Sequence, residues 1–294
     1  MKNLLSSLIW IASKLIGRKN LEKLLVYSAK TIHVNLHLHG LIQNGGISSF
    51  ESRINGEQLF IEEILPDLLS AEHAPIFFDV GANIGDYSLE LKKKFLNALI
   101  YSFEPVKSTF DILAKNVGDQ SGNVHNIGFS DSIGTGKIFN TANGVNNEIA
   151  SVYKDVFQEI FKREDELRVA DFQMDTIDNF CNSRDITHVD FLKIDVEGHE
   201  LVVLKGAANS LLNKQIKIIQ FEFNSHNVYS RVFLRDFYLI LPGYKFYRIL
   251  QNGITKLGSY NHLNEIFALQ NIVAIPEDLC YLIQSKYLIE FYSS

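Results

Sequence analysis

The stretch Ile76-Phe77-Phe78-Asp79-Val80-Gly81-Ala82-Asn83-Ile84-Gly85-Asp86-Tyr87-Ser88 runs from an apolar segment, through a carboxylate, into a turn of small residues and then into amphipathic sequence. It reads as strand, tight turn and helix, the unit from which parallel α/β sheets are built. In such sheets ligands settle at the carboxyl ends of the strands, near the point where strand order reverses. Gly81 and Gly85 let the backbone turn and come close to a ligand, and Asn83 tolerates a left-handed conformation. The pattern continues outward. Strands are expected over 99–103, 124–129, 188–194 and 216–223, with helices over 85–95, 108–117 and from 200 to 205. Gly134 and Gly136 suggest a hairpin through 137–141. Residues 143–170 read as a polar insertion with a helix near 152–162, followed by a short helix over 176–182 capped by Asp175. A helix near 233–241 and strand-like runs over 244–249, 256–260 and 267–275 suggest an antiparallel pair at the sheet edge.

Composition narrows the function classes. The 294 residues carry 28 Lys and Arg against 34 Asp and Glu, a net charge of −6, which disfavours nucleic acid as the main partner. The 21 Phe and 12 Tyr fall mostly inside strand patterns and read as core, not as a base-stacking platform. With 46% hydrophobic and 21% charged residues the chain is globular in type. Two cysteines, Cys181 and Cys280, cannot build a disulfide framework or a four-thiolate zinc site, and a cytoplasmic setting is expected.

Residues 1–57 read as a mainly helical extension and 58–294 as the principal domain. The apolar run after Lys2 is interrupted by Ser6 and Ser7, followed by Lys14, and has no convincing signal-peptide cleavage site. Its helical spacing suggests a helix docked on the protein. Surface association of residues 1–19 with a membrane, through Lys14, Arg18 and Lys19, is the second reading. No run is long enough for a transmembrane span. His37 and His39 alternate with Leu36 and Leu38 as on one strand face, without the further ligands zinc requires. The run over 58–69 is expected to be a helix kinked or ended by Pro66.

The turn after the first strand also bears on the cofactor. A dinucleotide site wants G-x-G-x-x-G and a helix N-terminus cradling a pyrophosphate. Here Asn83 replaces the second glycine, the third is missing, and Asp79 repels phosphate while suiting an ammonium. S-adenosylmethionine, with an ammonium, a sulfonium and no phosphate, fits that chemistry. Glu104 ends the second strand about 20 residues on, where a carboxylate accepts both ribose hydroxyls.

Together with Phe103-Glu104-Pro105, Gly128-Phe129-Ser130-Asp131, Asp190 to Glu200, Leu204-Lys205-Gly206-Ala207 and Phe221-Glu222-Phe223, the turn resembles the FkbM family of class I S-adenosylmethionine-dependent methyltransferases. The resemblance covers about residues 58–276, and the turn with the first three of these runs makes four motifs in the right order. It implies a Rossmann-like α/β fold, a seven-stranded, mostly parallel sheet with the last strand antiparallel. It also implies methyl transfer to a hydroxyl of a small molecule, sugar, glycan or polyketide. Carried over by position, Asp79, Gly81, Asn83 and Gly85 line the methionine and adenosyl part of the cofactor, Glu104 holds the ribose, and Ser130 and Asp131 flank the adenine. Asp195 faces the methyl group or the acceptor.

An alcohol acceptor must lose a proton, and Asp195, then Glu197, are the favoured bases. His199 reads as a surface helix position. A divalent ion on Asp195, Glu222 and Asn224 is the less favoured route, so no metal site is assigned. A nicotinamide-dependent oxidoreductase and a catalytically inactive methyltransferase-fold binding module are the competing readings.

Overall fold

The computed structural model describes residues 2–48, 55–118, 122–141, 150–160 and 167–290. These form two compact units, Met1–Asn44 and Gly45–Ser294. The first unit consists of helices α1 (Lys2–Ile16), α2 (Arg18–Thr31) and α3 (Leu36–Gln43). The region of His37 and His39 is therefore helical, not a strand. Asn35 caps α3 by accepting from the Leu38 amide at 3.0 Å, and a four-residue alternation is too short to separate the two periods.

The second unit opens with a helical segment, α4, comprising Glu57–Leu59, a π turn at Phe60–Ile64 and Leu65–Leu68. Pro66 does not end it. Proline has no amide to donate, and the widened turn immediately before it, with Leu65 N–H bonded to Phe60 C=O, accommodates the ring.

An eight-stranded sheet follows, in the order β11-β10-β12-β9-β8-β1-β2-β3. Its strands are β1 (Ile76–Val80), β2 (Leu99–Phe103), β3 (Val124–His125), β8 (Val189–Ile194), β9 (Ile216–Phe223), β10 (Tyr244–Leu250), β11 (Gly253–Lys256) and β12 (Gln270–Pro276). Strands β3, β2, β1, β8 and β9 are mutually parallel, and β12 lies antiparallel between β9 and β10. This is the expected seven-stranded arrangement, to which β11 adds an eighth strand as an edge hairpin with β10.

Both faces of the central strands are covered, as a parallel sheet requires. Alternate residues go to opposite cores. Phe77, Phe191 and Ile218 pack with Phe60 and Ile64 of α4, whereas Phe78, Leu192, Ile219 and Phe221 pack with Phe180 and Phe237. Phe78, Phe103 and Phe129 all meet the Phe180 ring edge-on, at 4.9 to 5.7 Å between centroids. Asp190, at the far end of β8, is wholly buried. It accepts from the Ile76 amide at 2.8 Å and pairs with Lys217 at 2.7 Å, tying the start of β1 to its neighbours.

The run expected as one strand over 124–129 divides. Asn126 leaves the ladder to donate to the Glu104 and Pro105 carbonyls, at 2.8 and 3.0 Å. The chain then enters a second sheet, ordered β4-β7-β5-β6, as β4 (Gly128–Phe129). There β5 (Gly134–Thr141) pairs antiparallel with β7 (Leu167–Asp175) and with β6 (Ala150–Ser151), so its long partner is distant in sequence. The end of the presumed polar insertion is thus strand, and parts of it, 142–149 and 161–166, lie outside the described residues. Thr176, not Asp175, caps the following helix by accepting from the Asn179 amide at 3.1 Å.

Candidate active site

The chain leaves β1 outward to β2 and β3 and returns on the other side at β8, so strand order reverses between β1 and β8. Two cavities lie at the carboxyl ends of these strands and share Gly81, Asn83, Asp195 and Glu197 as walls. One, of about 110 Å³, is walled by Glu104, Pro105, Phe129 and His199 and by Ile138, Val152 and Phe172 of the second sheet and its connection. The other, of about 540 Å³, is walled by Glu57, Tyr87, Lys193 and Glu222.

The turn after β1 is pinned. Gly81 and Ala82 amides both donate to the Phe103 carbonyl, at 3.0 and 2.9 Å, and the Asp195 amide donates to Val80 at 2.9 Å. Gly81 has φ +81° and a Cβ there would sit 1.8 Å from the Asp195 carbonyl oxygen, so only glycine lets the β1 and β8 ends approach. Asn83 is left-handed, at φ 48°. Its amide donates to Glu104 Oε2 at 3.1 Å, while its buried Oδ1 has no hydrogen-bond partner.

Glu104 is buried on the wall of the smaller cavity, with Oε1 accepting from the Val106 amide at 2.8 Å. Burial raises its carboxyl to about 7, against the lowering effect of the two amide bonds. Asp195 bonds Lys193 Nζ at 3.0 Å, and Lys193 also lies 3.8 Å from Asp79 and 4.6 Å from the Tyr87 ring centre. Burial alone would lower Lys193, but Asp195, Asp79 and Glu57 outweigh it and hold the ammonium above its ordinary value. Glu197, left-handed at φ 55°, places its carboxylate 2.5 Å from His226 Nδ1.

Several expected residues stand elsewhere. Asp79 is fully buried on Ser88, 2.6 Å away, and belongs to neither cavity wall. Gly85 begins helix α5 (Asp86–Lys94) and faces Leu113 and Val117, not a cavity. Ser130 is buried against His199 Nε2 at 3.2 Å, and Asp131 is exposed; neither lines a cavity. His199, read as a surface position, is instead a half-buried wall residue, bonded by Ser130 and by Tyr153 at 3.5 Å. Burial lowers it to about 4, so the ring is neutral at physiological pH.

Glu57, Tyr87, Lys193 and the hydrophobic residues of the second sheet were not anticipated. Glu57 precedes every motif, yet its carboxylate accepts from Gln220 at 2.8 Å and Asn55 at 2.7 Å, and Tyr87 donates to Gln220 at 2.6 Å. Only pairing across β9 brings them together. Burial raises the Glu57 carboxyl, and burial followed by repulsion from Asp195, Glu197 and Glu200 raises Glu222 further. Asn224 donates to the Glu222 carboxylate. Among the described residues no group of three or more His, Cys, Asp or Glu side chains is placed to hold a metal ion.

The Methyltransferase FkbM domain model matches residues 79–251, from the penultimate residue of β1 to the residue after β10. The chain belongs to the FkbM methyltransferase family. Two curated relatives are methyltransferases. Methyltransferase sdnD of Sordaria araneosa is 28% identical over 183 residues, 54% of this chain and 70% of that protein. Hexuronic acid methyltransferase AglP of Haloferax volcanii is 28% identical over 175 residues, 57% of this chain and 63% of AglP, so the matched FkbM region spans less than two thirds of that protein. Among solved structures, the methyltransferase FkbM of Methylobacillus flagellatus KT aligns with TM-score 0.40 and 16% identity, over 69% of this chain and 44% of that one.

Proposed function

We propose that this chain transfers a methyl group from S-adenosylmethionine to a hydroxyl of a small molecule or sugar. The observation that carries the reading is the junction of the two cavities, where Asn83, Asp195 and Glu197 are common walls. The smaller lobe suits a nucleoside, with apolar walls and the Glu104 carboxylate available to ribose hydroxyls. Asn83 Oδ1, buried without a hydrogen-bond partner, is a ready acceptor for an ammonium or hydroxyl. A diphosphate is disfavoured: the N-terminus of α5 carries Asp86, and Glu104 and Asp195 flank the turn. The methyltransferase relatives, one of them named for a hexuronic acid, support a sugar or other small-molecule acceptor.

When bound, S-adenosylmethionine supplies a methyl carbon activated by its sulfonium, so the protein's task is alignment and proton removal. Asp195, on both walls, takes the acceptor proton, with Lys193 fixing its orientation. Glu222, raised by burial and by repulsion from Asp195, Glu197 and Glu200, faces the acceptor from the wall of the larger cavity. Glu197 and His226 hold the loop after β8. Asn224 satisfies Glu222, which leaves the pair poorly arranged as metal ligands.

The test is a thermal shift with S-adenosylmethionine and with NAD, followed by transfer of radiolabelled methyl to hydroxylated acceptors. Stabilisation by the first ligand alone, with turnover lost and cofactor affinity kept in Asp195→Asn, is the expected result. Stabilisation by NAD, or undiminished turnover in Asp195→Asn, overturns the reading.

A further inference from the structure

The Met1–Asn44 unit is chemically unlike the rest of the chain. It contains six Lys or Arg and one Glu, a net +5, whereas the whole chain carries −6, leaving −11 for residues 45–294. Among its described side chains only Ala29 is buried. Large apolar groups stand in water instead: Trp10 is 63% exposed, Leu15 79%, Leu25 60%, Tyr27 72% and Ile32 68%. Large apolar side chains exposed in this density mark an interaction surface. Basic side chains are interleaved with these groups. Lys14 Nζ lies 5.5 Å from the Trp10 ring centre, and Lys19, Lys23 and Lys30 line one groove of α2 with Val26, Tyr27 and a single acid, Glu22.

We infer that this unit is an interfacial anchor that lies on an anionic lipid bilayer. Apolar side chains would enter the boundary between headgroups and acyl chains while lysine and arginine heads reach lipid phosphates. Trp and Tyr favour that boundary because each combines an apolar body with a polar tip. The helices lie on the surface and do not cross it. With 15 and 14 residues, α1 and α2 fall short of the roughly 20 a span needs, and no helix among the described residues is long and apolar enough to cross a membrane. Charge complementarity selects the bilayer. A second copy of the chain would bring +5 against +5 on the same surface, and attraction to anionic lipid grows with each basic residue near the membrane.

Trp10 is the chain's single tryptophan, so its fluorescence reports on this surface without any substitution. The full chain is mixed with vesicles of phosphatidylcholine, with and without 30% (about one lipid in three) phosphatidylglycerol. The expected result is a blue shift of Trp10 emission, quenching by brominated acyl chains and co-sedimentation with the anionic vesicles only, all weakened by high salt. The triple variant Lys14→Glu, Arg18→Glu, Lys19→Glu should lower partitioning by at least about 100-fold while leaving the melting temperature and S-adenosylmethionine affinity unchanged. Absence of a shift in the native chain, equal binding to neutral vesicles, or a concentration-dependent shift without vesicles accompanied by a dimer mass, each overturns the inference. Since cofactor affinity is read in parallel, a failed anchor and a failed methyltransferase reading give different results.

Discussion

Glu104 is held by two backbone amides and still titrates near 7, because the burial that positions it also removes the water that would stabilise its charge. In the proposed cofactor site, ribose hydroxyls donating to that carboxylate would favour the ionised form. Cofactor affinity should therefore rise about tenfold per pH unit below 7 and level off above it, with a proton released on binding. Glu104→Gln keeps the shape and loses the charge. Its expected signature is an affinity lower by about 10- to 100-fold, the worth of a hydrogen bond to a charged group, and a flat pH profile, both measured by calorimetry across pH 5.5–8.5 (a window of about 1.5 units either side of the pKa). For the unliganded fold the sign is opposite. A carboxyl raised from 4.5 to about 7 holds its proton longer in the native state than in the unfolded chain, so its contribution to stability declines as pH climbs between those values. Glu200, also raised to about 7 by burial, acts in the same direction.

The turn after β1 separates two kinds of glycine that look alike in sequence. At Gly81 the obstacle to a Cβ is backbone, the Asp195 carbonyl at 1.8 Å, and φ is +81°. At Gly85 the neighbours are the flexible tips of Leu113 and Val117, both at 2.8 Å, with φ +97°. Gly85→Ala should cost about 1–2 kcal/mol, the ordinary penalty for a left-handed residue. Gly81→Ala must push β8 from β1 and should exceed about 3 kcal/mol while displacing Asp195, so it damages fold and site together. Urea denaturation of the two variants checks the ranking. The strand-turn-helix unit and the carboxylates ending β1, β2 and β8 were legible because each is local: period, turn chemistry and strand-end position all lie within a dozen residues. The second sheet was not, since β5 finds β7 across a long gap in sequence and their pairing depends on tertiary contact. Glu57 was hidden for the same reason, as nothing near it announces Gln220. Ser130 shows the reverse limit: its position after a strand was readable, but its rotation toward His199 was set by packing.

At the scale of the whole molecule, the place where the principal domain begins decides which residues belong to the chemistry. A start at 58, as hydrophobic periodicity suggests, would remove groups woven into the second unit. The Ser48 amide bonds Leu269 at 2.7 Å, and Asn55 and Glu57 tie α4 to Gln220. Gly56 passes so near Leu250 that a Cβ would lie 2.1 Å from its carbonyl oxygen. Three or four hydrogen bonds at about 1 kcal/mol each amount to a fall in melting temperature of roughly 5–10 °C for a domain of this size. A chain comprising residues 45–294 should instead melt within about 2 °C of the full protein and bind cofactor equally well, because the compact unit is then intact. Parallel melting curves of the two truncations decide the matter, and equal stability of both would return residues 45–57 to the role of a dispensable extension. If only the longer form binds acceptor, the larger cavity owes its acceptor selection to Glu57 and the segment before it, which precede every family motif.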